Sequence, residues 1–271
     1  MVIHGSKAIY LSKDKKLDIK KQIKLVPKGI SNIGTVSSGI YKVDGTNYYA
    51  KEVEEEEAIN ELIGSILARE LNLDSADYKI GIDDNNNVYA VSKLFYDDKY
   101  DYYHPVQFKE RAFDIFSLDL ERAKRYYCKE NIYSLNPKMK EAILKLCALD
   151  IKMCQMDRHS HNIMIKAKKS NGEISFAPCY DYAFSYDIYM AEPERLFYDN
   201  PYLLVRKNKS SLKSLLKKYP AFYDYIKAMA IIDMEDIIEV IEKENDISLS
   251  EIQKAYYIDR DNEYSSLLKK I

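Results

Sequence analysis

Gln155-Met156-Asp157-Arg158-His159-Ser160-His161-Asn162-Ile163 decides the fold, together with Asp181 further along the chain. An Asp followed five residues later by an Asn, with a second Asp about twenty residues on, is what metal-assisted phosphoryl transfer asks of a protein. Asp157 would accept or orient the proton of the attacking hydroxyl. The Asn162 amide oxygen and the Asp181 carboxylate would hold Mg2+ against nucleotide phosphates. Two protein ligands suffice, because Mg2+ takes oxygen donors and keeps several waters. His159 and His161 are also a chelating pair, but neither a Cys nor a third His lies at useful spacing for zinc. His159 is expected to order the loop beside the nucleotide.

The flanks suit this chemistry. Met139, Ala142, Ile143, Leu146, Leu149, Met153 and Met156 recur at three- and four-residue steps, which predicts a helix over 137–156 that delivers Asp157 into a loop. Residues 162–166 read as a short strand, Ser170-Asn171-Gly172 as a turn, and 174–179 as the returning strand that leads into Asp181.

A second constellation lies upstream. Residues 33–43 read as strand, turn and strand, with Gly34, Ser37, Ser38 and Gly39 in the turn, where they would cover phosphates. Asp44-Gly45 is a hairpin signal, and 47–53 is the next strand. Lys51, on that strand, is placed to reach phosphates. The acidic run Glu54 to Glu57 opens a helix whose buried stripe is Ile59, Leu62, Ile63, Ile66, Leu67 and Leu71. Glu61, at the edge of the stripe, is expected to pair with Lys51. Glu57, one turn earlier, is the rival partner. Residues 76–82 and 88–94 form a second hairpin around Asp83-Asp84-Asn85-Asn86-Asn87. Lys93-Leu94-Phe95 then connects two lobes, and its backbone can serve the donor and acceptor of an adenine edge. Residues 96–103 read as a loop. Further helices are expected near 107–128, 208–218, 220–229, 233–243 and 248–258, and 182–208 lacks clear periodicity.

Composition narrows the class. Forty-one basic against 43 acidic residues argue against a dedicated nucleic-acid binder. Cys128, Cys147, Cys154 and Cys179 have no Cys-x-x-Cys spacing and read as reduced thiols of a cytoplasmic protein. The charges at Lys13 to Lys16 lead us to expect no signal peptide, and no apolar run in the sequence approaches the roughly 20 residues needed to span a bilayer.

These motifs resemble those of HipA-like serine/threonine kinases, over roughly residues 30 to 260. The segment 155–163 is similar to their catalytic loop, and also to that of phosphoinositide kinases. Ala177-Pro178-Cys179-Tyr180-Asp181 and Asn60-Glu61 are HipA-like. Val36 stands where protein kinases carry the middle loop glycine, and Tyr182-Ala183 replaces Phe-Gly after the metal Asp. The resemblance implies an α+β, two-lobed protein-kinase-like fold, with a small antiparallel β lobe plus one helix over 1–95 and a larger, mainly helical lobe over 96–271. It implies ATP and Mg2+ as cofactors, a protein substrate, an antitoxin partner if the chain is a toxin, and autophosphorylation at Ser37 or Ser38. Two other readings stay open: a lipid or small-molecule kinase, and a non-catalytic binding module of kinase-like fold.

Overall fold

The computed structural model describes residues 1–17, 37–103, 137–155, 158, 162–186 and 220–268. Asp157, His159, His161, Gly34, Cys128 and the helices expected near 107–128 and 208–218 lie outside them.

Five strands form the first sheet, in the order β2 (Ile9–Tyr10), β5 (Tyr78–Ile82), β6 (Val88–Lys93), β4 (Thr46–Glu52) and β3 (Ser38–Val43). The two expected hairpins are its body. At the β3–β4 turn, Asp44 and Gly45 both have positive φ, 47° and 80°, the conformation that Asp-Gly favours in a two-residue hairpin. The sheet is not wholly antiparallel as the sequence suggested, because β2 joins β5 in parallel. Gly81 makes room for it. A Cβ there would stand 2.4 Å from Val91 Cγ2 and 3.0 Å from Leu11 Cδ1.

One helix, α1 (Glu55–Glu70), crosses the sheet with Ile59, Leu62, Ile63, Ile66 and Leu67 buried. These side chains join one core with α2 (Pro137–Lys152), α3 (Pro220–Ala230), α4 (Met234–Asn245) and α5 (Glu251–Leu268). Contacts to α4 and α2 seat α1 between the lobes. The amino-terminal strand β1 (Val2–Ile3) pairs antiparallel with β10 (Ile247–Ser248), just after α4.

A second sheet is three-stranded and antiparallel: β7 (Tyr100–Tyr103), β8 (Ile165–Lys168) and β9 (Ile174–Phe176). The sequence suggested a loop at β7. Its polar flanks hide an alternation in which Tyr102 is buried and Asp101 exposed. Helix α2 ends at Lys152, earlier than its apolar period suggested. Cys154 turns left-handed (φ 47°). Its N–H donates to Ile151 O at 3.1 Å, and the Gln155 N–H donates to Asp150 O at 2.8 Å. This is a Schellman termination, made without the glycine that would have announced it.

Gly64 shows how closely α1 meets the second lobe: a Cβ there would lie 2.3 Å from Tyr182 Cγ. Ordinarily Gly→Ala in a helix stabilises by about 0.5–1 kcal/mol. Here overpacking reverses the sign, and Gly64→Ala is expected to destabilise by about 1–3 kcal/mol. Denaturant unfolding checks this, and a gain in stability would contradict the packing described.

Candidate active site

Helix α1 presents one face to residues 181–186. Asn60 Nδ2 donates to Ala183 O at 2.7 Å and to Ser185 O at 3.0 Å. Glu61 Oε2 accepts the Tyr182 N–H at 2.7 Å. Gly64 then leaves space for the Tyr182 ring. Three helix positions, at i, i+1 and i+4, thus fix the backbone just after Asp181.

Asp181 itself is held from three sides. Its N–H donates to the Tyr78 hydroxyl at 3.3 Å, and its carbonyl accepts from Gln155 Nε2 at 2.8 Å. Its carboxylate meets Lys51 Nζ at 3.1 Å. The backbone at Asp181 is left-handed, φ 64°. Non-glycine residues seldom adopt that conformation, and they keep it where surrounding bonds over-determine it.

Lys51 therefore pairs with Asp181, where the sequence suggested Glu61. The reason is local: the Tyr182 N–H engages Glu61 Oε2, while Asp181 is carried towards the strand lysine. Glu61 remains an electrostatic neighbour of both. Burial opposes the charge on Lys51, but Asp181 and then Glu61 hold its pKa above the ordinary lysine value. Glu57 is no partner for Lys51. Its carboxylate accepts the Glu54 N–H at 3.2 Å, at the start of α1.

Arg158 joins the remaining parts. Its side chain is fully buried. Nε and Nη2 grip both oxygens of Asp150 at 3.0–3.2 Å. Nη1 donates to Asn162 O at 3.0 Å and to Tyr180 O at 2.6 Å. One nitrogen thus joins Asn162, one expected metal ligand, to Tyr180, the residue before the other. Burial pushes the Asp150 carboxyl up and the guanidinium pulls it back; the two-oxygen grip is that of an ionised pair.

The donor set formed by Asn162 and Asp181 is a carboxylate and an amide oxygen, which fits Mg2+. Among the described residues no cluster of three His, Cys, Asp or Glu side chains suits a metal. A cavity of about 290 Å3 lies elsewhere, lined by Asn72, Lys138, Lys145, Phe176 and Cys179 among others, and none of Lys51, Asn162 or Asp181 borders it.

The glycine turn differs from expectation. Ser38 and Gly39 lie inside β3, opposite Lys51 and Ala50, and Ser37 O accepts the Glu52 N–H at 2.9 Å. The strand begins sooner because the β3–β4 ladder runs on to this pair. In the connector, Leu94 N–H donates to Asn47 O at 2.9 Å, Lys93 ends β6, and Phe95 O accepts from the Tyr102 hydroxyl. Tyr78, Gln155 and Arg158 received no role from sequence. For Gln155 and Arg158 a long side chain one or two residues from Asp157 was the signal available; Tyr78, inside a strand, carried none.

Burial, followed by Asp181, raises the Glu61 pKa to about 8, against the pull of Lys51. A carboxyl that ionises near its ordinary value when unfolded and higher when folded gives the native state an extra proton in between. Stability is therefore expected to fall as pH rises from about 4.5 to about 8. Thermal unfolding of the protein and of Glu61→Gln across that window measures it. The difference between the two should shift with pH, and a constant difference would contradict the assignment.

No family model matches the chain, and no curated protein matches it in sequence. Solved structures do. The Helicobacter pylori proinflammatory kinase CtkA aligns at 15% identity, over 86% of this chain and 92% of its own, with a TM-score of 0.58. HipA of Shewanella oneidensis, solved with HipB and operator DNA, aligns at 13% identity, over 94% of this chain and 71% of its own, also at 0.58. The chain has a HipA-like protein-kinase fold, α+β and two-lobed.

Proposed function

We propose that this protein is an ATP- and Mg2+-dependent phosphotransferase, and specifically a serine/threonine protein kinase. The observation that carries the reading is the 3.1 Å contact between Lys51 and Asp181. It brings a strand lysine suited to phosphates against a carboxylate suited to a metal. Glu61 stands beside them, and Arg158 joins Asn162 to Tyr180, the residue before Asp181. When bound, Mg2+ would neutralise charge on the transferring phosphoryl group. Asn162 and Asp181 would hold it, Lys51 would orient the phosphates, and Asp157 would act on the acceptor hydroxyl. Lys93 and Phe95 would lie along the base, with Gly34, Gly39 and His159 near the phosphates.

The HipA alignment supports a further part of the proposal, a toxin role with an antitoxin partner; a cytoplasmic location belongs to the same reading. No helix among the described residues is long and apolar enough to cross a membrane. Autophosphorylation belongs to the same reading. Ser38 faces Lys51 across the ladder, so the two side chains leave the same side of the sheet. A phosphate on Ser38 would add about −1.5 to −2 charges and compete with nucleotide for Lys51. Ser37, exposed at the start of the strand, is the alternative acceptor.

Incubation with labelled ATP and Mg2+, alone and with cell lysate, tests the proposal. Transfer to protein is expected, with phosphate on Ser37 or Ser38 by mass spectrometry. Asp181→Asn should remove most transfer with the fold kept, because an amide is a poorer ligand for a hard cation. Asp157→Ala should bind ATP yet transfer about 10^2 to 10^4 times more slowly. Undiminished transfer in Asp181→Asn would overturn the metal assignment, and label in lipid or small molecules alone would move the acceptor to another class.

A further inference from the structure

The connector between the lobes is fastened by a side chain that lies beyond it in sequence. Tyr102, on β7, is 3% exposed. Its hydroxyl donates to Phe95 O at 3.1 Å and accepts the Asp97 N–H at 2.9 Å. One oxygen thus closes residues 95–97 onto the edge of the β7–β8–β9 sheet. The rings reinforce the closure. Tyr96 meets Tyr102 edge-on at 4.9 Å between centroids, and Phe95 lies 5.2 Å from Tyr96 and 6.2 Å from Tyr180. Tyr180 directly precedes Asp181, so this aromatic cluster runs from the connector to the candidate metal ligand.

The backbone chemistry of the connector follows from this fastening. Leu94 N–H is committed to Asn47, and Phe95 O and Asp97 N–H are committed to Tyr102. Among the described residues no hydrogen bond occupies the Phe95 N–H or the N–H and carbonyl of Tyr96. Those groups are a donor-and-acceptor edge, the pattern a purine presents in complement. Tyr49 lies on the face of β4 that carries Lys51, and it is an electrostatic neighbour of both Lys51 and Tyr96. The connector therefore borders the same space as the Lys51–Asp181 pair.

We infer that Tyr102 is a positioning residue for the nucleobase: its hydroxyl fixes the order in which the connector offers donor and acceptor, which adenine and guanine, with the two interchanged, cannot both match, and in an ATP site the match is to adenine. This rests on the nucleotide reading of the site. Tyr102 need not touch the base, because it acts through the backbone of residues 95–97.

Tyr102→Phe removes only the hydroxyl and keeps the ring cluster. Tyr257→Phe is the matched control, since that hydroxyl is also buried and donates to Glu56 O at 3.3 Å, away from the connector. Binding of ADP and GDP by titration calorimetry, with thermal unfolding alongside, is the measurement. The unsubstituted protein and Tyr257→Phe should prefer ADP. Tyr102→Phe should lose about fivefold in ADP affinity, the worth of roughly one hydrogen bond, with GDP affinity unchanged. An equal loss for both nucleotides, or an unchanged preference, overturns the role of Tyr102 while leaving nucleotide binding in place. Failure of the unsubstituted protein to bind either nucleotide overturns the nucleotide reading and this inference with it.

Discussion

The buried guanidinium of Arg158 is the constraint on which the site depends. Taking a charge out of water costs several kcal/mol, and the interior repays it only when the partners are well placed and every donor is used. Here Asp150 supplies the counter-charge from α2, and the carbonyls of Asn162 and Tyr180 take the donors of Nη1. The guanidinium also lies 5.2 Å from the centre of the Tyr182 ring. If any of these segments moves, a buried charge loses a partner. The same bond set that stabilises the second lobe therefore fixes the backbone of Asn162, one candidate metal ligand, against that of Tyr180, the residue before the other.

From that fastening the order of assembly can be followed outward. Asp150 is available to Arg158 because α2 stops two residues later in a Schellman turn. That turn frees Gln155 to hold the Asp181 carbonyl. Asp181 is then presented to Lys51, and Tyr182 to Glu61. Glu61 Oε1 is buried with no hydrogen-bond partner among the described residues. Such a group is costly and is tolerated most readily where a nearby cation, here Lys51, offsets it. The polar centre of the molecule is thus one network reaching from α2 to β4, with α1 closing it from behind.

Much of this was legible in the chain. The stripe on α1, the Asp44-Gly45 hairpin and the period of α2 follow from spacing, since burial selects side chains at the repeat of the element itself. Lys51, Glu61, Asn162 and Asp181 were legible as residue types suited to phosphate and metal chemistry. Less legible was what depends on meetings between distant segments. The parallel strand β2 rests on the missing side chain of Gly81. The pairing of Lys51 with Asp181 rests on a backbone N–H from Tyr182. The end of α2 rests on Cys154 adopting a conformation more usual for glycine. A one-dimensional pattern does not record a carbonyl three turns away, so Gln155, Tyr78 and Tyr102 had no visible role.

The seating of α1 has a mechanical consequence. The helix is gripped along one side by residues 182–185 and along another by α4, while the β1–β10 ribbon ties the start of the chain to the same lobe. Arg69 and Lys79 converge on Glu244, and the Ile80 N–H is held by Asn245. A body clamped at so many points has no free hinge about its own axis. The far edge of the five-stranded sheet is held more lightly: among the described residues β3 is paired on its outer side only with Lys16 and Leu17, through one bridge to Tyr41 and the Leu17 N–H to Ile40 O bond at 2.7 Å. Bending of the sheet against the clamped helix is then concentrated in the β3–β4 hairpin, between Lys51 and the Asp44-Gly45 turn, over a base that does not rotate.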